Sequence, residues 1–223
     1  MPVRNKLLWV IAGVAAGLTL GQGGAAARCT STETCLRVIQ QAQQDMRTMA
    51  AAFVQVKHVS LLDEPLVSSG RFMFKRPDRI LLTLQEPQPL TVTIKGRDVH
   101  IPNLPERDRQ GLGMAPMAAM FTQLSAIFTG AMQALEQGFE VSAAEDGAAI
   151  QVNLVPRQES WKRMFHSIQL RFAGPGLLAQ KIRLDDALGD SLEITLSDVR
   201  RNVDIPDAMF DIGTPRAESS GQK

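Results

Sequence analysis

The spacing of apolar residues predicts one helix at the start of the folded part of the chain. These residues are Leu36, Ile39, Met46, Met49 and Phe53. Their steps of three, seven, three and four are typical of an amphipathic helix, here over residues 31–52. Thr30-x-x-Glu33 fits a capping box at its beginning. We therefore expect a helix with a single apolar face that packs against the rest of the molecule.

Alternating apolar and polar residues then predict two series of short strands. The first series covers residues 53–59, 67–74, 79–84, 90–95 and 98–101, and the second covers 139–143, 149–155, 165–172, 177–184 and 191–199. Pro, Gly and Asp residues separate the runs within each series. Because no helix-length segment lies between neighbouring runs, each series is predicted to be an antiparallel meander.

A Met-rich segment over residues 111–138 separates the two series, and it has no charged residue from Gly113 to Leu135. Gly130 can divide it into two helices. Its apolar residues at helical spacing include Met114, Met117, Met120, Phe121, Leu124 and Phe128. Methionine is unbranched and polarizable, so a surface rich in it repacks around different apolar partners. We expect this segment either to be the plain core of a covering helix or to cover an apolar pocket on the strands.

The order of these elements predicts a mainly β fold with a helical lid (α+β). About 10–11 antiparallel strands form a sheet that must curl, which favours an open, incomplete β-barrel. The N-terminal helix and the Met-rich insert are available to cover it. We expect one domain over residues 28–213 and a polar tail over residues 214–223.

The first residues predict export. Arg4 and Lys6 precede an apolar run over residues 7–20, and three alanines at 25–27 offer a cleavage site. The run is shorter than the roughly 20 residues of a membrane span, so we expect a cleaved signal peptide over residues 1–27, with an uncleaved anchor as the alternative. The predicted location is the periplasm of a Gram-negative cell. There Cys29 and Cys35 are expected to form a disulfide loop.

Charge and motifs argue against several classes of function. The chain has 24 Lys and Arg against 23 Asp and Glu and only 5% aromatic residues, which argues against nucleic-acid binding. No catalytic or cofactor motif is present, and His58, His100 and His166 fall on three separate predicted strands. We expect a monomeric protein without catalytic residues, cofactor or metal site.

An ordered series of segments resembles the periplasmic outer-membrane lipoprotein carrier family (LolA-type). The segments are FVQVK, SSGRFMFKRPDRILL, IKGRDV, NLVP, LDDALGDSLEITLSDVRRN and IPDAMF. The resemblance implies an open, incomplete antiparallel barrel covered by helices. It also implies a carrier that takes lipoprotein acyl chains from an inner-membrane ABC transporter, or another lipid exporter, and passes them to an outer-membrane acceptor.

The resemblance also points to particular residues. The expected lipid-binding cavity comprises Phe72, Phe74, Ile80, Leu82, Val92 and Ile94 on the strands, with Met114, Met117, Met120, Phe121, Leu124 and Phe128 on the insert. Arg76, in K-R-P, resembles the family arginine that holds the lid closed, and a guanidinium can donate several hydrogen bonds to backbone carbonyls of the lid. The alternative is a solvated turn residue. Ile80 and Leu82 stand where family members carry aromatic residues. The cargo is therefore open between a lipoprotein and a glycolipid or other envelope lipid, and a periplasmic lipid-sensing module is the alternative of another class.

Overall fold

The computed structural model describes residues 29–86, 89–96, 98–102, 126–129 and 131–211. The predicted signal peptide, the C-terminal tail, and Met114, Met117, Met120, Phe121 and Leu124 lie outside the described residues. The helices are α1 (Thr32–Gln43), α2 (Ala126–Thr129) and α3 (Glu159–Lys162), with 3₁₀ helices at Met132–Gln137 and Asp207–Phe210.

Within the described residues, ten antiparallel strands form one open sheet. They are β1 (Thr48–His58), β2 (Leu66–Lys75), β3 (Arg79–Glu86), β4 (Leu90–Lys95), β5 (Asp98–His100), β6 (Phe139–Asp146), β7 (Ala149–Pro156), β8 (Phe165–Ala173), β9 (Leu178–Asp186) and β10 (Ser191–Arg201). Their order is β5-β4-β3-β2-β1-β10-β9-β8-β7-β6. Two meanders are thus joined by the pairing of β1 with β10, which confirms the predicted fold class.

The sheet curves around one face, which we call the inner face. In β1, Phe53 points to this face and lies opposite Gly70 of β2 and Leu196 of β10. Strands β2 and β7 stand five positions apart, which is about 24 Å in a flat sheet. Residues of both strands nevertheless belong to one buried core, together with residues of α1 and α2. The sheet therefore bends around the core that these helices cover.

The predicted helix over residues 31–52 is wrong beyond Gln43, because β1 already begins at Thr48. Met49 and Phe53 are four residues apart, a step that fits one turn of a helix but is also an even number. In a strand they share one face, and both are buried in β1. The capping box is also displaced by one residue. Ser31 is the N-cap, and its Oγ accepts a hydrogen bond from the Thr34 amide.

The predicted disulfide between Cys29 and Cys35 is present. Next to it, the Cys29 amide donates a hydrogen bond of 2.9 Å to Glu145 Oε1 on β6. On β6 as well, the Ala143 amide donates to Thr32 Oγ1 at 3.1 Å. The start of α1 is therefore fixed to the edge strand of the second meander.

The chain after β10 packs on the opposite, outer face of the sheet. We call residues 202–211 the C-terminal strap. Ile205 and Phe210 of the strap form a second, smaller core with Leu81 of β3. Lys75 Nζ donates to the Ile205 carbonyl at 2.8 Å. The strap covers β2 and β3 from behind and leaves the inner face to the helices.

Candidate functional site

The six predicted cavity residues on the strands lie together on the inner face. They form two rows across β2, β3 and β4, one with Phe72, Leu82 and Val92 and one with Phe74, Ile80 and Ile94. Each row consists of residues directly opposite one another in neighbouring strands, so their side chains are in contact range. The row that contains Phe74 is buried, whereas Leu82 and Val92 are only half-buried.

Phe128 of α2 covers the aromatic end of these rows. Its ring centroid lies 4.7 Å from that of Phe72 and 5.8 Å from that of Phe74. Tilted aromatic pairs at such separations contribute about 0.5–1.5 kcal/mol beyond the burial of their area. A helix of four residues is not stable by itself. The position of α2 therefore depends on the contacts that Phe128 and its buried neighbours make with the sheet.

Burial of the inner face differs from strand to strand. The inner residues of β7 and β8, such as Val152, Leu154 and Leu170, have no exposed area. A second group is only partly buried, and we call it the apolar inner patch. Its members are Leu82, Leu84, Val92, Val99, Ile182, Leu184 and Ile194. Among the described residues, the inner face is thus filled over β7 and β8 and partly open over β3, β4, β9 and β10.

Arg76 connects the turn between β2 and β3 to the end of α1. Its Nη2 donates a hydrogen bond of 3.1 Å to the carbonyl of Gln43, the last residue of α1. The last carbonyls of a helix have no partner within the helix and carry partial negative charge, which a guanidinium satisfies. Arg76 therefore binds a backbone carbonyl at the end of α1, and its role in holding a lid closed stays a prediction.

Gln43 is a site residue that the sequence analysis missed. Its side chain is 1% exposed, and its Nε2 donates a hydrogen bond of 2.6 Å to the Leu177 carbonyl in the turn between β8 and β9. The end of α1 is therefore tied to both meanders, through Arg76 and through Gln43. A signal was present, because the step of seven from Ile39 to Met46 passes over Gln43, which lies one helical turn after Ile39.

Other chemistry is not apparent on the described part of the chain. His58, His100 and His166 lie on β1, β5 and β8. Within the described ranges, no group of three or more His, Cys, Asp or Glu side chains is placed to hold a metal ion. None of the helices in these ranges combines the length and apolar character that crossing a bilayer requires.

The fold defines a class first: mainly β proteins built on one open antiparallel sheet with helices on its inner face. Within that class, the family model for the outer membrane lipoprotein carrier protein LolA matches residues 44–213. The match covers most of the chain. The protein therefore belongs to the LolA family, in agreement with the resemblance found in the sequence.

Several known proteins are similar to this chain. An outer-membrane lipoprotein carrier protein of Legionella pneumophila (strain Paris) is 24% identical over 190 residues, which cover 83% of this chain and 88% of the relative. One of Methylibium petroleiphilum is 27% identical over 174 residues, with coverage of 77% and 81%. The crystal structure of a LolA superfamily protein from Nitrosomonas europaea matches with a TM-score of 0.46 and 12% identity, and covers 82% of this chain and 98% of that one.

Proposed function

We propose that this protein is a periplasmic carrier that shields the acyl chains of lipoproteins and passes them from the inner membrane to an outer-membrane acceptor. Membership of the LolA family supports a carrier of lipid or lipoprotein, since similar proteins are described as outer-membrane lipoprotein carriers. The observation that carries the proposal is the apolar inner patch beside the contact of Phe128 with Phe72. Partly open apolar surface next to a displaceable cover suits an acyl chain.

The burial energy explains why such a carrier needs its own cover. Each buried CH₂ contributes about 0.8 kcal/mol, so one long acyl chain contributes on the order of 10 kcal/mol. A protein that kept all of this energy would not release its cargo. Phe128 packs on Phe72 and Phe74, which are two of the proposed cargo contacts. Cargo must displace this contact, which lowers the net affinity and makes transfer to an acceptor possible without nucleotide hydrolysis.

The donor proposed for this pathway is an inner-membrane ABC-type transporter or another lipid exporter, and no cofactor takes part. Mass spectrometry of an organic extract of the purified protein distinguishes the candidate cargoes. A bound lipoprotein or its acylated N-terminus supports the proposal. A glycolipid or another envelope lipid in its place would redirect it to a carrier of that lipid.

The apolar inner patch is tested by placing an amide in it. Val92→Asn is expected to weaken binding of a tripalmitoylated cysteinyl peptide by roughly tenfold, because an unpaired amide in apolar surroundings costs about 1–3 kcal/mol. Thr91→Asn is the matched control, since Thr91 lies next to Val92 on β4 but faces the other side of the sheet. Binding is measured by fluorescence titration. Equal effects of the two substitutions would show that the inner patch does not hold the acyl chains.

A further inference from the structure

The sheet divides at one end between β9 and β10. These strands pair from Ser191 opposite Asp185 to Thr195 opposite Lys181. Beyond that point, β9 pairs only with β8, and residues 196–201 of β10 pair only with β1. Each of these outer pairings contains a register shift, and such bulges bend the strand that carries them. The two neighbouring strands therefore diverge.

The divergence leaves a crevice of about 510 Å³, which we call the β9–β10 crevice. Apolar side chains of Leu178, Leu196 and Val199 line it, with Ser197, Asp198 and Arg201 as polar neighbours. This volume falls within the range of about 300–1,000 Å³ that small-molecule sites occupy. None of the lining residues belongs to the apolar inner patch, although Leu178, Leu196 and Val199 are part of the same core as that patch.

Arg201 brings into this crevice a positive charge that no ion pair within the described residues neutralises, although Asp198 also lines the crevice. Its guanidinium lies directly against Gly176, where a Cβ would collide with Nη1 and come within 3.0 Å of Cζ. Gly176 also has a φ of +81°, so both its backbone and the close approach require glycine. No carboxylate in the described part of the chain forms an ion pair with Arg201, and no described group accepts a hydrogen bond from its side chain.

The end of α1 neutralises the positive charge of Arg201 only in part. The end of α1 is close, because the Ala42 carbonyl oxygen lies 3.6 Å from the same Cβ position. A helix C-terminus supplies a partial negative charge of about half an electron. A guanidinium carries a full positive charge and five hydrogen-bond donors. The half-buried guanidinium of Arg201 can therefore also bind an anion that accepts two parallel hydrogen bonds.

We propose that the β9–β10 crevice binds a single-chain anionic amphiphile. Its carboxylate or phosphate contacts the Arg201 guanidinium, and its alkyl chain lies along Leu178 and Leu196. Asp198 on the same crevice disfavours a second negative charge on the ligand. The proposal does not depend on the carrier function, because the apolar inner patch supplies none of the residues that line the crevice.

Calorimetric titration of the purified protein tests this site with four probes below their micellar concentrations. These are dodecanoate, dodecyl phosphate, uncharged dodecyl maltoside and inorganic phosphate. We expect at least about tenfold tighter binding of the two anionic amphiphiles than of the maltoside, as a charge-assisted contact provides. If only one of the two anionic amphiphiles binds, that result identifies the headgroup as a carboxylate or a phosphate. Equal affinity for the maltoside, or binding of inorganic phosphate as tight as that of dodecyl phosphate, would overturn the proposal.

Variants locate the contact. Arg201→Gln is expected to abolish the preference for anions, whereas Arg200→Gln is expected to keep it, because Arg200 is exposed and lies opposite Ala50 on the outer face. In the unaltered protein, dodecanoate is expected to shift the amide NMR signals of Gly176, Ser197 and Val199, a readout that does not require any variant to fold. Shifts confined to the apolar inner patch, or unchanged binding by Arg201→Gln, would refute the site. If Val92→Asn loses dodecanoate binding and Arg201→Gln keeps it, the crevice site is refuted and the carrier proposal is supported.

Discussion

Arg76 and Gln43 hold the end of α1 between two turns that lie on different meanders. The Arg76 side chain contacts the Gln43 carbonyl, and its amide donates a hydrogen bond of 2.9 Å to the Arg47 carbonyl just after the helix. The Gln43 side chain contacts the Leu177 carbonyl on the other side. Any outward movement of α1 must break contacts at both residues. The strength of these few hydrogen bonds therefore bears directly on how easily the cover opens.

The first variant at this scale is Arg76→Leu. We expect it to load a tripalmitoylated cysteinyl peptide normally and to release it roughly tenfold more slowly. The reason is that the closed, empty form loses a hydrogen bond from a charged group, typically about 1.5–3 kcal/mol, while the loaded form does not. Dissociation is measured by stopped-flow fluorescence with excess unlabelled peptide.

Arg79→Leu is the control for this experiment, since Arg79 contacts Asp207 on the outer face. It should release the peptide at the rate of the unaltered protein. An unchanged release rate in Arg76→Leu would remove Arg76 from the release step.

Single residues differ in how well the sequence predicts them. Phe72 and Phe74 could be placed on one face because side chains two apart in a strand share a face. For Gln43, the spacing shows that it lies one helical turn after Ile39, but an apolar pattern does not show that a polar residue is buried through a hydrogen bond to Leu177. The sequence could not predict that Arg201 lies in a crevice either, because the divergence of two strands leaves no periodic signal in the sequence.

At the scale of elements, the C-terminal strap closes the outer face. Asn202 receives a hydrogen bond from the Arg47 amide at 2.8 Å and donates one to the Asp45 carbonyl at 3.1 Å. Asp207, further along, forms ion pairs with Lys75 and Arg79. The strap thus links the loop before β1 with the start of β3, so its attachment contributes to the order of both strands.

Attachment of the strap should depend on pH. The hydrogen bonds from Lys75 and then Arg79 hold the pKa of Asp207 below its usual value. A carboxylate with a lowered pKa stabilises the folded protein above the unfolded-state pKa of about 3.9, and this stabilisation is lost as the pH falls through the folded-state value. We expect Asp207→Asn to lower the Tm slightly at pH 7 and to have no effect at the acid end of the transition.

Thermal unfolding at a series of pH values checks this expectation, with Asp211→Asn as the control. Asp211 is exposed and forms no ion pair within the described residues. A Tm difference between Asp207→Asn and the unaltered protein that stays constant down to pH 3 would contradict the proposed role of the carboxylate.

The elements show where periodicity works and where it fails. All ten predicted strands are present, and most bounds differ by no more than two or three residues. The exception is β1, which starts five residues before the predicted strand because a step of four fits both periods. The helix α3 and the 3₁₀ helix at Asp207–Phe210 were not predicted, since four residues span too few turns to establish a helical period. The 3₁₀ helix at Met132–Gln137 lies within the segment that was predicted to be helical.

In the molecule as a whole, the inner face is packed more tightly over β7 and β8 than over β3 and β4. Inner residues of β7 and β8 such as Val152 and Leu170 are completely buried, whereas those of β3 and β4 such as Leu84 and Val92 are partly exposed. Local stability follows buried apolar contact. We therefore expect β3 and β4, which carry four of the six proposed cargo contacts on the strands, to open at lower free energy than β7 and β8.

Hydrogen exchange measured by mass spectrometry tests this difference. We expect the amides of β7 and β8 to exchange roughly tenfold or more slowly than those of β4 and β5 in the empty protein, because opening them exposes more apolar area. Addition of the tripalmitoylated peptide should slow exchange in β3 and β4 and leave β7 and β8 unchanged. Equal exchange rates across the sheet would contradict the expected difference in local stability between these pairs of strands.

The strand order also has a kinetic consequence. Each meander consists of hairpins between strands that follow one another along the chain, so its pairings form locally. The central ladder joins β1 to β10, the first strand to the last. Closing so long a loop carries a high entropic cost, and contacts distant in sequence slow folding. The two halves can therefore assemble early and separately, and their union at the centre of the sheet is expected to be the late, rate-limiting event after the last strand has emerged.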